Sequence, residues 1–338
     1  QNIKKEEFCD TSFSAGTLQA ARRAAGAVAF AVDRVLLGRN RNAFCCVRPP
    51  GHHAGYNGLL DNAKSCGFCI FNNVAAGAMH ALEGHNGERV AIVDLDIHHG
   101  NGTEDIVRRY TTPSRLLFFS LHLYDKDLDP GYEFFPGSGS NDDASHNIIN
   151  VPILPMWHSS GSTGTKTSTG SDAGSPVVNT TSSATNSPFS TGSPSHASAA
   201  GGRGPLTGRE AYRQAIIQRL LPALRAFNPG LILLSTGFDP ALGDVGNTRN
   251  MPILNPDGTA QPGSSEPAMG MDLTAEDFAW VTSEIMKIAD ICCAGRVVSV
   301  LEGGYGSYSA AARAQAQAKL AEGKRNNRTR GSEPKEVP

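Results

Sequence analysis

Asp94, Asp96 and His98 follow the apolar run Val90 to Val93, with Leu95 and Ile97 set between them. On an extended strand a spacing of two places both carboxylates and the imidazole on one face. Adjacent acids repel and are costly to desolvate unless a cation lies between them. Gly100-Asn101-Gly102 then closes the run with turn-forming residues. Oxygen and nitrogen donors at the carboxyl end of a sheet strand fit a divalent metal site, with zinc favoured by the imidazole. Taken alone, the run fits a solvated acidic strand end equally well.

Three further stretches have the same form, an apolar strand followed by a reactive residue. Leu231 to Thr236 leads to Asp239, Ala43 to Val47 leads to His52 and His53, and Val297 to Leu301 leads to Gly303, Gly304 and Tyr305. The expected site is one zinc held by Asp96, His98 and Asp239. Two carboxylates and a neutral imidazole offset the 2+ charge and leave positions open. A closed structural site would use cysteines, and these motifs contain none. His52 and His53 are the candidate general bases.

The elements that must position these groups alternate between strand and helix. A further strand is expected from Leu116 to Leu121. Helices are expected over Leu18 to Leu37, Asn73 to Leu82, Thr103 to Tyr110 and Glu210 to Phe227, the last kinked by Pro222. Thr274 to Asp277 reads as a capping box before a helix that runs to Asp290. The pattern predicts a single α/β domain with a largely parallel central sheet, helices on both faces and chemistry at the carboxyl edge. Two insertions interrupt it. Residues 159–202, rich in Ser, Thr and Gly, cannot bury enough surface to order themselves. Residues 245–267, rich in Asn, Pro and Gly, read as a solvated loop that could overhang the site. Residues 311–338 are expected to form a C-terminal helix and a polar tail.

A net charge of −2 gives no basic field for nucleic acid or membrane, and no apolar run approaches eighteen residues. Seven cysteines, including the adjacent pairs Cys45-Cys46 and Cys292-Cys293, do not resemble a disulfide framework. An intracellular setting, nucleus and/or cytoplasm, is expected. Cys66-x-x-Cys69 lacks a second pair and reads as packing.

RPPGHHAG (48–55), GFCIFNN (67–73), VDLDIHHGNG (93–102), SLHLYD (120–125), FFPGSG (134–139), STGFDPALGD (235–244) and LEGGY (301–305) resemble the zinc-dependent histone deacetylases of the arginase/deacetylase superfamily. RPPGHHA together with HHGNG looks like the class II branch. The resemblance implies that residues 1–310 form a deacetylase catalytic domain hydrolysing acetyl-lysine amides in proteins. It implies that Asp94 pairs with His52 and Asn101 with His53, while Tyr305, beside Gly303, donates its hydroxyl to the oxyanion. Because a carboxylate favours imidazolium, His53 rather than His52 is assigned as the base. Gly67 and Phe68 on one side and Phe135 on the other would wall an acyl-lysine tunnel, with Asp10 at its rim. The main chain of Asp94, Asp96, His98, Ser120 and Leu121 would hold a structural potassium ion. The family's usual leading strand and helices have no counterpart before Asp10. Acetylated proteins or peptides, histone tails among them, and corepressor-type proteins are the implied partners, within chromatin regulation. The rival readings are an amidohydrolase for acetylated polyamines, marked by an acid-lined mouth, and a non-catalytic acetyl-lysine reader, which would not need Tyr305, His52 and His53.

Overall fold

The computed structural model describes residues 11–61, 63–126, 133–159, 206–255 and 259–307. Asp10, residues 160–202 of the first insertion and the 311–338 unit lie outside the described residues.

Among the described residues, eight strands form two sheets. The main sheet contains β1 (Asn42–Cys45), β2 (Val90–Asp94), β3 (Leu116–Leu123), β4 (Ile148–Ile153), β5 (Leu231–Thr236) and β8 (Val297–Leu301); β6 (Thr248–Leu254) and β7 (Ala260–Met269) pair separately. The main sheet is parallel throughout, in the order β1-β8-β5-β2-β3-β4. Parallel strands buried on both faces are continuous apolar runs, and every residue of β2 and β3 is buried.

The period of two sorts those runs between two cores. Val90, Ile92, Leu116, Phe118 and Leu233 face α1 (Thr17–Leu36), α2 (Asn73–Met79) and Val107 of α3 (Asn101–Arg109). Ala91, Val93, Leu117, Phe119 and Leu234 face the other way. There, beyond the short α4 (Met156–Ser159), they meet α5 (Gly208–Ala215), α6 (Leu221–Phe227) and α7 (Ala275–Cys293). In α1, Ala24, Val28, Val32 and Val35 make the buried stripe at helical spacing. α7 begins at the expected capping box, Asp277 Oδ2 accepting the Thr274 N–H at 2.8 Å. No helix among the described residues is long and apolar enough to cross a membrane.

Several expectations need correction. The expected Glu210 to Phe227 helix contains a π-helical turn, Ile216–Leu220, ahead of Pro222, whose missing N–H and ring cannot continue a regular α-helix. Residues 245–267 are not simply a loop: β6 and β7 form an antiparallel hairpin from Thr248↔Met269 to Leu254↔Ala260. Pro252, Pro262 and Pro267 obscure its alternation, yet both strands of an isolated ribbon are edges, where proline is tolerated. The largest change concerns β2, which ends at Asp94. Asp96 and His98 therefore lie past the strand, in a series of bends.

Candidate active site

Aspartate side chains cause that early end. Asp94 Oδ1 accepts the Asp96 N–H at 3.1 Å, and Asp96 Oδ1 accepts the His98 N–H at 2.9 Å. Each carboxylate bonds backbone two residues on, an alternative to the ladder that Asp side chains offer readily. Leu95 and Ile97 stay in the core while the polar groups turn above the carboxyl edge.

Asp239, three residues beyond β5, reaches the same point. His98 Nδ1 lies 3.0 Å from both Asp96 Oδ1 and Asp239 Oδ2. One donor atom from each of these residues falls within 4.8 Å of the others, and both aspartates are fully buried. Burial and neighbouring Asp96 push the Asp239 carboxyl up to about 7. Burial works against protonation of His98, but its hydrogen bonds to Asp239 and Asp96 raise it to about 9. Glycine backbone closes the floor: Gly303 N donates to Asp96 Oδ2 at 2.8 Å, and a Cβ at Gly303 or Gly237 would collide with both carboxylates. Two buried carboxylates sharing one imidazole nitrogen are a donor set suited to a divalent cation such as zinc.

His52 and His53 stand beside this cluster, their rings 3.9 Å apart. His52 Nδ1 meets Asp94 Oδ2 at 2.9 Å, and His53 Nδ1 meets Asn101 Oδ1 at 2.8 Å. Burial opposes charge on both rings, with different results. At His52 the charges of Asp94 and Asp96 win and hold the imidazole well above its usual range. At His53 burial, reinforced by His52 and His98, holds it well below. Cys69 Sγ accepts the His53 N–H at 3.4 Å, so this cysteine packs beneath the site.

Over the cluster opens a cavity of about 370 Å³ lined by His53, Gly67, Phe68, His98, Phe135, Val245, Gly246 and Tyr305. Phe135 stands edge-on to His53 at 4.9 Å and Phe68 edge-on to Tyr305 at 5.8 Å. Gly67 has a φ of +51°, and a Cβ there would run into the His53 ring. Burial and the charges of Asp96 and Asp239 raise the Tyr305 hydroxyl well above its usual range, keeping it a donor. Of the described residues of the second insertion, Val245 and Gly246 line the cavity. Of the main-chain set expected to hold potassium, Asp94 and Ser120 are register partners on adjacent strands, with Leu121 next along β3.

Three supporting residues escaped the sequence reading. Glu302, lying inside LEGGY, is buried and raised to about 7 by that burial. Its Oε2 accepts the N–H groups of Gly51 (2.6 Å) and His52 (3.2 Å), and its Oε1 accepts the Ser235 hydroxyl at 3.1 Å. Asp244 accepts the N–H groups of Tyr305 and Gly306 at 2.9 and 2.7 Å, fixing the tyrosine loop. Asn247 donates to the carbonyls of Asp239 and Ala241, both at 2.8 Å. An acid directly after a strand was the available signal for Glu302, and its place at the end of the motif 235–244 was the signal for Asp244; Asn247 had none.

The family profile described as histone deacetylase domain matches residues 1–321. Type-2 histone deacetylase 2 of Dictyostelium discoideum is 32% identical over 309 residues, covering 89% of this chain and 14% of the relative. Polyamine deacetylase HDAC10 of Mus musculus is 31% identical over 312 residues, covering 90% of this chain and 34% of the relative. The chain thus spans well under two thirds of the length of these relatives. The solved HDA15 HD domain superposes with a TM-score of 0.56 at 27% identity, covering 92% of this chain and 66% of that one. With the parallel sheet, the site at its carboxyl edge and a profile match over most of its length, the chain belongs to the histone deacetylase family.

Proposed function

We propose that the chain hydrolyses acetyl-lysine amides in proteins or peptides, with a zinc ion held by Asp96, His98 and Asp239. The carrying observation is the convergence of these three donors beneath a cavity that also presents His53 and Tyr305. Such an ion polarises a carbonyl and acidifies bound water. The chain's own residues supply the rest. Phe68 and Phe135 flank the aliphatic lysine stem, burying apolar surface and orienting the amide. His53, neutral, accepts the proton of the attacking water. His52 stays protonated beside Asp94 and stabilises negative charge nearby. The Tyr305 hydroxyl donates to the amide oxygen as charge develops there.

Among the described residues that line the cavity none is acidic, which favours acetyl-lysine over a cationic polyamine. Turnover of an acetyl-lysine peptide is compared with that of N-acetylputrescine, with and without a chelator. Chelator-sensitive cleavage of the peptide, faster than of the polyamine, is expected. A preference for N-acetylputrescine, or peptide cleavage indifferent to chelator, would overturn the reading.

A further inference from the structure

Asp33, His80 and His85 form a second trio of donors among the described residues. His80 Nε2 and His85 Nε2 each lie 2.7 Å from the same carboxylate oxygen, Asp33 Oδ1. Their rings meet edge-on with centroids 5.3 Å apart. The trio is far from the chemistry along the fold. Asp33 sits near the end of α1, which leads into β1, and the two histidines lie on the connection that leads into β2. In a parallel sheet both connections enter at the amino edge, opposite the active site.

The backbone is built in a way that brings the histidines together. His80 and His85 are five residues apart, and on a regular α-helix five residues turn about 500°, leaving the side chains roughly 140° apart. Here α2 gives way at His80 to a π-helical turn, His80–Gly84, with His85 as its C-cap. A π turn closes i→i+5 hydrogen bonds and so brings residues five apart much nearer to one face than an α-helix would. A Cβ at Gly84 would press on the His80 ring, 3.2 Å from Nδ1. The side chains are 35%, 40% and 22% exposed for His80, Asp33 and His85, open enough for an ion to enter.

We propose that Asp33, His80 and His85 bind a divalent transition-metal ion of the zinc class, separate from the active-site ion. Two imidazoles and one carboxylate are a donor set such ions prefer, and water can fill the remaining position. Donors about 2 Å from a tetrahedral ion stand roughly 3.3 Å apart, so small side-chain rotations open the 2.7 Å contacts enough. The ion would clip α1 to the connection between α2 and β2.

The test dialyses the full chain free of metal, loads it with Zn²⁺ alone and counts zinc by elemental analysis. Wild type should hold one zinc more than Asp33→Asn or the double variant His80→Asn/His85→Gln, and Zn²⁺ should raise its melting temperature more than theirs. On an Asp239→Asn background, which isolates this trio from the active site, one zinc should remain and vanish when Asp33→Asn is added. Circular dichroism checks folding. Where a variant does not fold, His85→Gln alone serves, and it should weaken zinc binding by at least about tenfold, since even lost supporting contacts do so. Equal zinc content and equal thermal response in wild type and folded variants would show a hydrogen-bonded strap without metal and overturn the proposal.

Discussion

His53 Nδ1 donates to Asn101 Oδ1, an oxygen that also accepts the Gly102 N–H at 3.0 Å. An atom that takes a backbone N–H is the amide oxygen, so Nδ1 carries the proton and Nε2 the lone pair. Replacing Asn101 by Asp puts a charge where now only a dipole orients the ring. The His53 pKa, held low by burial, should then rise. Because the base must be neutral to act, the acid limb of kcat/KM should move to higher pH. The limb belongs to the histidine pair as a whole. The profiles of wild type and Asn101→Asp are compared at equal zinc content, and an unmoved or lowered limb would remove the base role from His53.

Asp239→Asn should lose active-site zinc and turnover together. The two buried carboxylates would share the charge of a bound ion, and the amide keeps shape but not charge. Zinc is counted in a chain that also carries Asp33→Asn, so that only the active site contributes. One zinc per chain in that double variant would refute Asp239 as a ligand.

Tyr305→Phe should keep its zinc and lose roughly 10²–10³ in kcat, the usual scale for one oxyanion donor. The Asp244 bonds to the loop are main-chain and survive the change. A loss of only a few-fold would point to another donor.

Glu302 separates a structural from an electrostatic role. Glu302→Ala strands the buried N–H groups of Gly51 and His52, at about 1–3 kcal/mol for each unsatisfied group. Glu302→Gln can still accept from both and donate to Ser235, so its loss should be much smaller. Urea denaturation compares the two at pH 8. Burial raises the carboxyl to about 7 from an ordinary 4.5, so the native state favours the protonated form. The wild-type contribution is therefore fully present below about pH 4.5 and declines as pH rises through 7. Glu302→Gln should lack that decline, and equal pH slopes for the two proteins would contradict it.

The donor cluster was legible because Asp96, His98 and Asp239 are polar residues placed within a few residues of apolar strands, and the structure brings the three together. The geometry was less legible. Alternation suggested that Asp94, Asp96 and His98 share a strand face, whereas side chain-to-backbone bonds end the strand and turn the last two above it. The β6–β7 hairpin was hidden by prolines that a two-edged ribbon can accept. Asp33, His80 and His85 left no periodic trace, because a π turn changes the phase on which helical reading depends. Five of the six parallel strands were legible as unbroken apolar runs, but β4 was not, because Asn150 and Pro152 break its apolar run.

The strand order β1-β8-β5-β2-β3-β4 also governs how the molecule must be made. The first four strands leave the ribosome in sequence, but β1 pairs with β8, and β2 pairs on one side with β5. Until residue 236 has emerged β2 presents an open, apolar edge, and until residue 301 has emerged β1 has no neighbour. Half a chain is thus not half a domain but an aggregation-prone intermediate. Premature termination anywhere before β8 should yield insoluble product, not a smaller folded domain.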